Sequence, residues 1–201
     1  MTCDAQAPPT LSPRFWRLIQ DEGLAGKRVL DVGCGWGRLA LPLAAAAGWV
    51  VGLDRDTALI AEARRRASEA GLARVEFHEA DVELEEYGRW QPDLIVAHLC
   101  ASDAIIERAG RALRPGSWLG MVAFHVDQWR ETGKVSRFAY DEERMTRVLR
   151  ETGFLAEALE VEREVQRFET VEKGLAAAVA LADRWKVAGR NRRAVSIHWR
   201  T

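Results

Sequence analysis

Three glycines at alternate positions, Gly33, Gly35 and Gly37, stand in Asp31-Val32-Gly33-Cys34-Gly35-Trp36-Gly37-Arg38-Leu39-Ala40, which follows the apolar pair Val29-Leu30. That order reads as a strand, a tight turn and the start of a helix. Glycine suits such a turn because it takes backbone angles other residues resist, and because the missing β-carbon lets a ligand approach the main chain. The spacing is G-x-G-x-G and not the G-x-G-x-x-G of dinucleotide sites. Asp54 ends the next apolar run, Val50-Val51-Gly52-Leu53, about where nucleotide sites place a carboxylate on ribose hydroxyls. Its two oxygens could accept both hydroxyl protons, since Asp56 is the better placed helix cap.

The elements that must position these residues alternate. A helix is expected over 13–22, and short apolar strands over 28–32, 49–54, 74–78, 94–98 and 118–124. Strands alternating with helical patterns mean parallel βαβ units. After Asp56, Leu59, Ile60, Ala63 and Ala67 share a helix face, Gly71 supplies the stop, and Arg64, Arg65 and Arg66 face water. Ile105, Ile106, Ala109 and Leu113 share another face, and Arg114-Pro115-Gly116 turns the chain into the fifth strand. Further on, a helix from Asp141 buries Met145, Val148 and Leu149. An alternating strand runs through Leu159, Val161 and Val165, a helix carries Leu175, Val179 and Ala182, and a last strand carries Val195, Ile197 and Trp199. The expected architecture is a doubly wound α/β fold with five parallel strands and a C-terminal antiparallel pair, seven strands in one domain.

Parallel sheets bind ligands beyond the carboxyl ends of their strands. That rule selects the glycine loop, Asp54, Asp81-Val82 after the third strand, and the two histidines His98 and His125 at the ends of the fourth and fifth. A histidine there could take a proton from an attacking group, its ordinary pKa lying near neutrality. His78 and His198 read as structural. Substrate walls would come from Phe15 and Trp16 of the first helix, and from a lid over 125–140 in which Trp129, Phe138 and Tyr140 interleave with Arg130, Lys134 and Arg137.

The chain has 201 residues, 48% hydrophobic and 29% charged, with a formal net charge of -1. That suits one domain with a sizeable core and gives no basic field of the size nucleic acids require. Three cysteines without a C-x-x-C or paired His/Cys spacing make neither a disulfide framework nor a zinc site. A reducing cytoplasm is the expected setting. Residues 1–10 read as a loose tail without the features of an export signal, and the longest apolar run is broken by Pro42, Gly48 and Gly52.

The phrase from Val29 to Leu43, VLDVGCGWGRLALPL, resembles the first motif of the class I S-adenosylmethionine-dependent methyltransferases, whose sheet is Rossmann-like and seven-stranded. The resemblance implies methyl transfer to a small-molecule acceptor with S-adenosylmethionine as cofactor and S-adenosylhomocysteine as product. It implies Asp31 near the cofactor's ammonium group, Gly33, Cys34, Gly35 and Gly37 along its methionine part, and Asp54 with neighbouring Arg55 at the ribose. Asp81 would accept from the adenine amine, the Val82 amide would meet the ring, and Ala97 would lie at the fourth strand's end. A similar R-P-G turn stands in that family before the fifth strand. The chain departs from it at 92–100, where relatives acting on amines and nucleobases carry an N-P-P-Y type motif and His98 falls at the asparagine position. This argues against an amide-and-tyrosine clamp on a planar amine. Rival readings are a cofactor-binding sensor without turnover, a nicotinamide-dependent oxidoreductase and an RNA methyltransferase. The glycine spacing and lack of a second domain count against the oxidoreductase, and the near-neutral charge against RNA.

Overall fold

In a computed structural model that describes residues 11–127, 136–162, 169–176 and 179, β1 (Arg28–Val32) lies at the centre of a five-stranded parallel sheet. Beside it run β2 (Trp49–Asp54) and β4 (Leu94–His98), flanked in turn by β3 (Val75–Glu79) and β5 (Trp118–Val122), in the order β3-β2-β1-β4-β5. The register sets Asp31 opposite Gly52 on one side and Val96 on the other.

Period-two alternation along these strands builds two cores. Val29, Val50, Leu94 and Val96 pack with Phe15, Trp16 and Ile19 of α1 (Pro13–Asp21), with Ala40 and Leu43 of α2 (Ala40–Ala44), and with Ile60 and Ala63 of α3 (Thr57–Glu69). Leu30, Val32, Val51, Leu53, Ile95 and Ala97 pack on the opposite face with Tyr87 and with Ile105 and Ala109 of α4 (Asp103–Ala112). A strand buried on both faces has to be apolar throughout, which is why these runs show little polar alternation. The chain crosses from one face to the other between β1 and β4, and this is the topological switch point.

The helix ends follow local rules. The Ser12 side chain accepts the Phe15 N–H at 3.0 Å ahead of Pro13, and Asp56 Oδ1 accepts from Ala58 and Leu59 at 3.0 and 3.1 Å. Gly71, at φ +64°, ends α3, and Gly116, at φ +85°, completes the Arg114-Pro115-Gly116 turn. Leu59 is 36% exposed and lies off the buried stripe of Ile60, Ala63 and Ala67. The three arginines of α3 are also more engaged than a solvated face. Arg64 donates to the Phe77 carbonyl, Arg65 pairs with Glu62 and Glu69, and Arg66 lies 4.2 Å over the Trp36 ring.

The chain divides into two compact units. One holds the described residues up to Ala123 together with Thr146–Leu155, the other the described residues of Phe124–Met145 and those from Ala156 onward. In the second, β6 (Phe124–His125) pairs in parallel with β7 (Ala139–Tyr140), a pair distinct from the antiparallel one expected between the strand through Leu159, Val161 and Val165 and the last strand. The helix α5 (Glu142–Glu151) is divided between the units at Met145, and buries Met145 and Val148, with Leu149 half-buried. The strand expected through Leu159 and Val161 does not form over its described part. Leu155 and Leu159 are 93% and 42% exposed, and an alternating segment becomes a strand only when an edge pairs with it. Residues 171–176 are helical, but Leu175 and Val179 are exposed. Val165, Ala182 and the last strand through Val195, Ile197 and Trp199 lie outside the described residues.

Candidate active site

The carboxyl ends of β1 and β2 are tied together by backbone hydrogen bonds. Gly33 and Cys34 both donate to the Leu53 carbonyl, at 2.8 and 2.9 Å. The Gly35 N–H donates to Asp54 Oδ2 at 2.8 Å, while Asp54 Oδ1 accepts the Asp56 N–H at 3.0 Å. Asp54 therefore has a structural duty that its place in the sequence did not disclose. It spends one acceptor direction of each oxygen on the main chain.

The three glycines have different reasons to be glycine. All have positive φ, at +74°, +54° and +84° for Gly33, Gly35 and Gly37. A β-carbon on Gly33 would lie 2.3 Å from Cys100 Sγ, and one on Gly37 would lie 3.0 to 3.2 Å from Leu41 and Phe77. At Gly35 the first neighbour would be Leu59 Cδ1 at 3.9 Å. Packing thus requires Gly33 and Gly37 to be bare, whereas Gly35 faces an open approach to the main chain.

Beneath the loop, Asp31 is almost fully buried, and its Oδ2 has no hydrogen-bond partner. Burial pushes its carboxyl up to about 7, against the lowering effects of a backbone hydrogen bond from Ala40 and the charge of Arg38. A buried carboxylate oxygen without a donor suits an ammonium group, so the residues present fit S-adenosylmethionine. Cys34 is buried, and Cys100, at the end of β4, is pushed up to about 12 by burial. Both are packing thiols and poor nucleophiles.

On the third strand's side, Asp81 is exposed, and its Oδ1 accepts the Glu83 N–H at 3.0 Å. The loop is held from below by residues the sequence reading passed over. Tyr87 donates its hydroxyl to the Val82 carbonyl at 2.5 Å, and Arg108 of α4 donates to the carbonyls of Glu83 and Glu85 at 2.6 and 3.2 Å. Tyr87 was missed because its ring reads as one more core aromatic. Arg108 was missed because a helical arginine reads as solvated. Arg55 is exposed next to Asp54. Ala97 has its side chain in the second core, so only its backbone can meet a ligand.

His98 ends β4, 8% exposed, with Arg38 Nη2 at 2.5 Å from its Nδ1 and the Phe15 ring at 5.8 Å. Leu99, the next residue, takes φ +58°, and its N–H donates to the Val122 carbonyl at 2.7 Å. Such a non-glycine left-handed residue costs about 1 to 3 kcal/mol and concentrates at working sites. Trp16 is buried in the first core. In the second unit, His125 Nδ1 accepts the Asp127 N–H at 3.2 Å, and its Nε2 lies 3.5 Å from Glu142 Oε2. Tyr140 is buried there with Arg144 4.4 Å over its ring, which makes it a packed residue of that unit. Trp129, Arg130 and Lys134 lie outside the described residues. Among the described residues no cluster of His, Cys, Asp and Glu could hold a metal ion, and no helix is long and apolar enough to cross a membrane.

The strand order and the switch point between β1 and β4 define a Rossmann-like α/β protein. Residues 24–156 match the family model described as a methyltransferase domain, and the chain belongs to that family, the class I S-adenosylmethionine-dependent methyltransferases. Among curated relatives, the ubiquinone biosynthesis O-methyltransferase of Paracidovorax citrulli is 34% identical over 51% of this chain and 47% of its own length. The 23S rRNA (uracil(1939)-C(5))-methyltransferase of Methylococcus capsulatus is 45% identical over 32% of this chain and 15% of its own. The chain thus spans half or less of these relatives. Among solved structures, the magnesium protoporphyrin IX methyltransferase of Synechocystis with bound S-adenosylhomocysteine is similar in fold. Its TM-score is 0.60 at 21% identity, covering 77% of this chain and 75% of that one. The YcgJ protein of Bacillus subtilis gives 0.67 at 17% identity, covering 86% and 80%.

Proposed function

We propose that this chain methylates a small-molecule acceptor with S-adenosylmethionine and releases S-adenosylhomocysteine. The observation that carries the reading is the meeting, at one switch point, of the open main chain at Gly35 with the unpartnered oxygen of Asp31. The bound cofactor supplies an electrophilic methyl group on a sulfonium. The protein's own residues bind and orient it. Asp31 takes the ammonium group, Gly35 gives room for the methionine part, Asp54 accepts from the ribose hydroxyls, and Asp81 with the Val82 amide meets the adenine.

Methyl transfer needs in-line approach and exclusion of water more than acid-base power. Phe15, packed against His98, forms the acceptor's wall and keeps water from the end of β4. Support for a small acceptor comes from the near-neutral net charge and from relatives whose names specify ubiquinone biosynthesis and magnesium protoporphyrin IX. The match to the rRNA enzyme covers only 65 residues and supports the shared cofactor fold without its substrate.

The test is calorimetry with S-adenosylhomocysteine and NAD, followed by an acceptor screen with methyl-labelled S-adenosylmethionine over phenols, carboxylates, amines and thiols. Binding of S-adenosylhomocysteine but not NAD, with label in one acceptor class, is the expected result. NAD binding would overturn the cofactor assignment, and cofactor binding without label transfer to any acceptor would favour a sensor.

A further inference from the structure

We infer that Arg38 is a positioning residue that holds His98 as a neutral imidazole protonated on Nε2, so that His98 serves as a hydrogen-bond donor and not as the general base. The inference rests on the proposed function for its meaning in catalysis, but its geometry stands apart from any ligand.

A guanidinium has only donors and keeps its proton at every accessible pH, whereas a neutral imidazole has one donor and one acceptor nitrogen. Arg38 Nη2 lies 2.5 Å from His98 Nδ1, so Nδ1 is the acceptor of this pair and the ring proton sits on Nε2. Protonating Nδ1 would set two donors and two positive charges face to face. The alternation of β4 places His98 on the Leu94–Val96 face, the same face on which β1 carries Asp31. Asp31 is electrostatically coupled to Arg38 and accepts a backbone hydrogen bond from Ala40. Arg38 thus lowers the Asp31 carboxyl through its charge while its guanidinium holds the His98 ring by a hydrogen bond. Phe15 closes the ring's flank, and the left-handed Leu99 turns the chain immediately beyond it. Arg38, by a direct hydrogen bond, and Asp31, through the charge of Arg38, are charged groups on the Nδ1 side of His98.

The consequence for the reaction is specific. With its basic nitrogen engaged by a permanent cation, His98 takes no proton from the acceptor. Deprotonation, where an acceptor needs it, then falls to a group other than His98, and an acceptor already ionised, such as a thiolate, a carboxylate or an ionised phenol, needs none. Arg38 acts on catalysis only through His98 and is not itself a catalytic residue.

The experiment is long-range proton–nitrogen correlation NMR of the histidine side chains in the full ¹⁵N-labelled chain, with His98→Gln to assign the signals. The chain has four histidines, so the spectrum is simple. Wild-type His98 should show the Nε2-protonated pattern unchanged from about pH 5.5 to 8.5, the range in which an unperturbed imidazole titrates. Arg38→Met should release it to titrate there as a mixture of tautomers, and Arg38→Lys, which restores a cationic donor, should recover the fixed pattern at least in part. A wild-type His98 that titrates in this range, or that carries its proton on Nδ1, overturns the inference without any variant. An Arg38→Met spectrum identical to wild type overturns it as well. S-adenosylhomocysteine titrated into the same sample separates the two claims, because a fixed tautomer in a protein that binds no cofactor would leave this inference standing and remove the functional reading.

Discussion

The carboxylate of Asp54 accepts the backbone N–H of Gly35 at 2.8 Å, joining the end of β2 to the middle of the glycine loop. One residue thus shapes the loop and carries the proposed ribose contact. Replacing it should disturb both. Asp54→Ala should weaken S-adenosylhomocysteine binding by about 1.5 to 3 kcal/mol, the usual worth of a charge-assisted hydrogen bond, and should lower the melting temperature of the apoprotein as well. Asp54→Asn keeps a carbonyl oxygen for one of the two backbone donors and should fall between. Calorimetry and thermal melts on the same preparations check both arms, and an Asp54→Ala protein with unchanged affinity would remove the ribose assignment.

The glycines of the loop separate packing from ligand access. Gly33→Ala drives a β-carbon to within 2.3 Å of Cys100 Sγ at a φ of +74°, so it should destabilise the fold by several kcal/mol, on the order of the sum of overpacking and backbone strain. Gly35→Val meets no such neighbour and should cost the fold only about 1 to 2 kcal/mol for its left-handed angle, while abolishing cofactor binding. Circular dichroism melts beside calorimetry distinguish the two. Equal loss of fold in both variants would show that the open side of Gly35 is not an approach path.

The parallel sheet was legible because its strands are apolar on both faces and their ends are marked by Gly, Asp and Arg-Pro-Gly signals. Asp56 as the α3 cap and the α4 stripe of Ile105, Ile106 and Ala109 follow from rules that act within a few residues. The engagements of Asp54, Arg38, Tyr87 and Arg108 were not legible, since each joins residues distant in sequence through a side chain whose type also suits solvent or core. The parallel β6–β7 pair was beyond reach for a related reason. Its strands have two residues each, too few for any periodicity.

Arg108 reaches from α4 to the carbonyls of Glu83 and Glu85 and to the Glu86 carboxylate at 2.8 Å, with its side chain only 17% exposed. It is the cross-brace of the loop that carries Asp81 and Val82. Arg108→Ala leaves two carbonyls without a charged donor and should cost about 1 to 3 kcal/mol of stability. Hydrogen exchange should quicken at residues 81–86 more than in β1 or β4, and S-adenosylhomocysteine affinity should fall. Affinity should be recovered in part by Arg108→Lys, which returns one cationic donor without the fork. Unchanged exchange in the loop would show that Arg108 does not hold it.

Asp31 gives the site a pH dependence whose sign can be worked out. Its carboxyl is raised from 3.8 to about 7 by burial, so between those values the folded protein holds a proton that the unfolded chain has lost. Stability from this group is therefore greatest at low pH and declines as pH rises toward 7, by up to about 1.4 kcal/mol per pH unit. Asp31→Asn has no such titration and should gain stability relative to wild type across that window, an outcome read from paired thermal melts at pH 5, 6 and 7. A cofactor ammonium against Oδ2 favours the ionised form and reverses the shift. Binding of S-adenosylhomocysteine near pH 6 should then release a proton, and affinity should rise with pH until about 7 and level off above it. Calorimetry in two buffers of different ionisation enthalpy measures that proton directly, and Asp31→Asn should abolish the difference between them. A binding enthalpy that does not depend on the buffer in wild type would show that the ammonium group is held elsewhere.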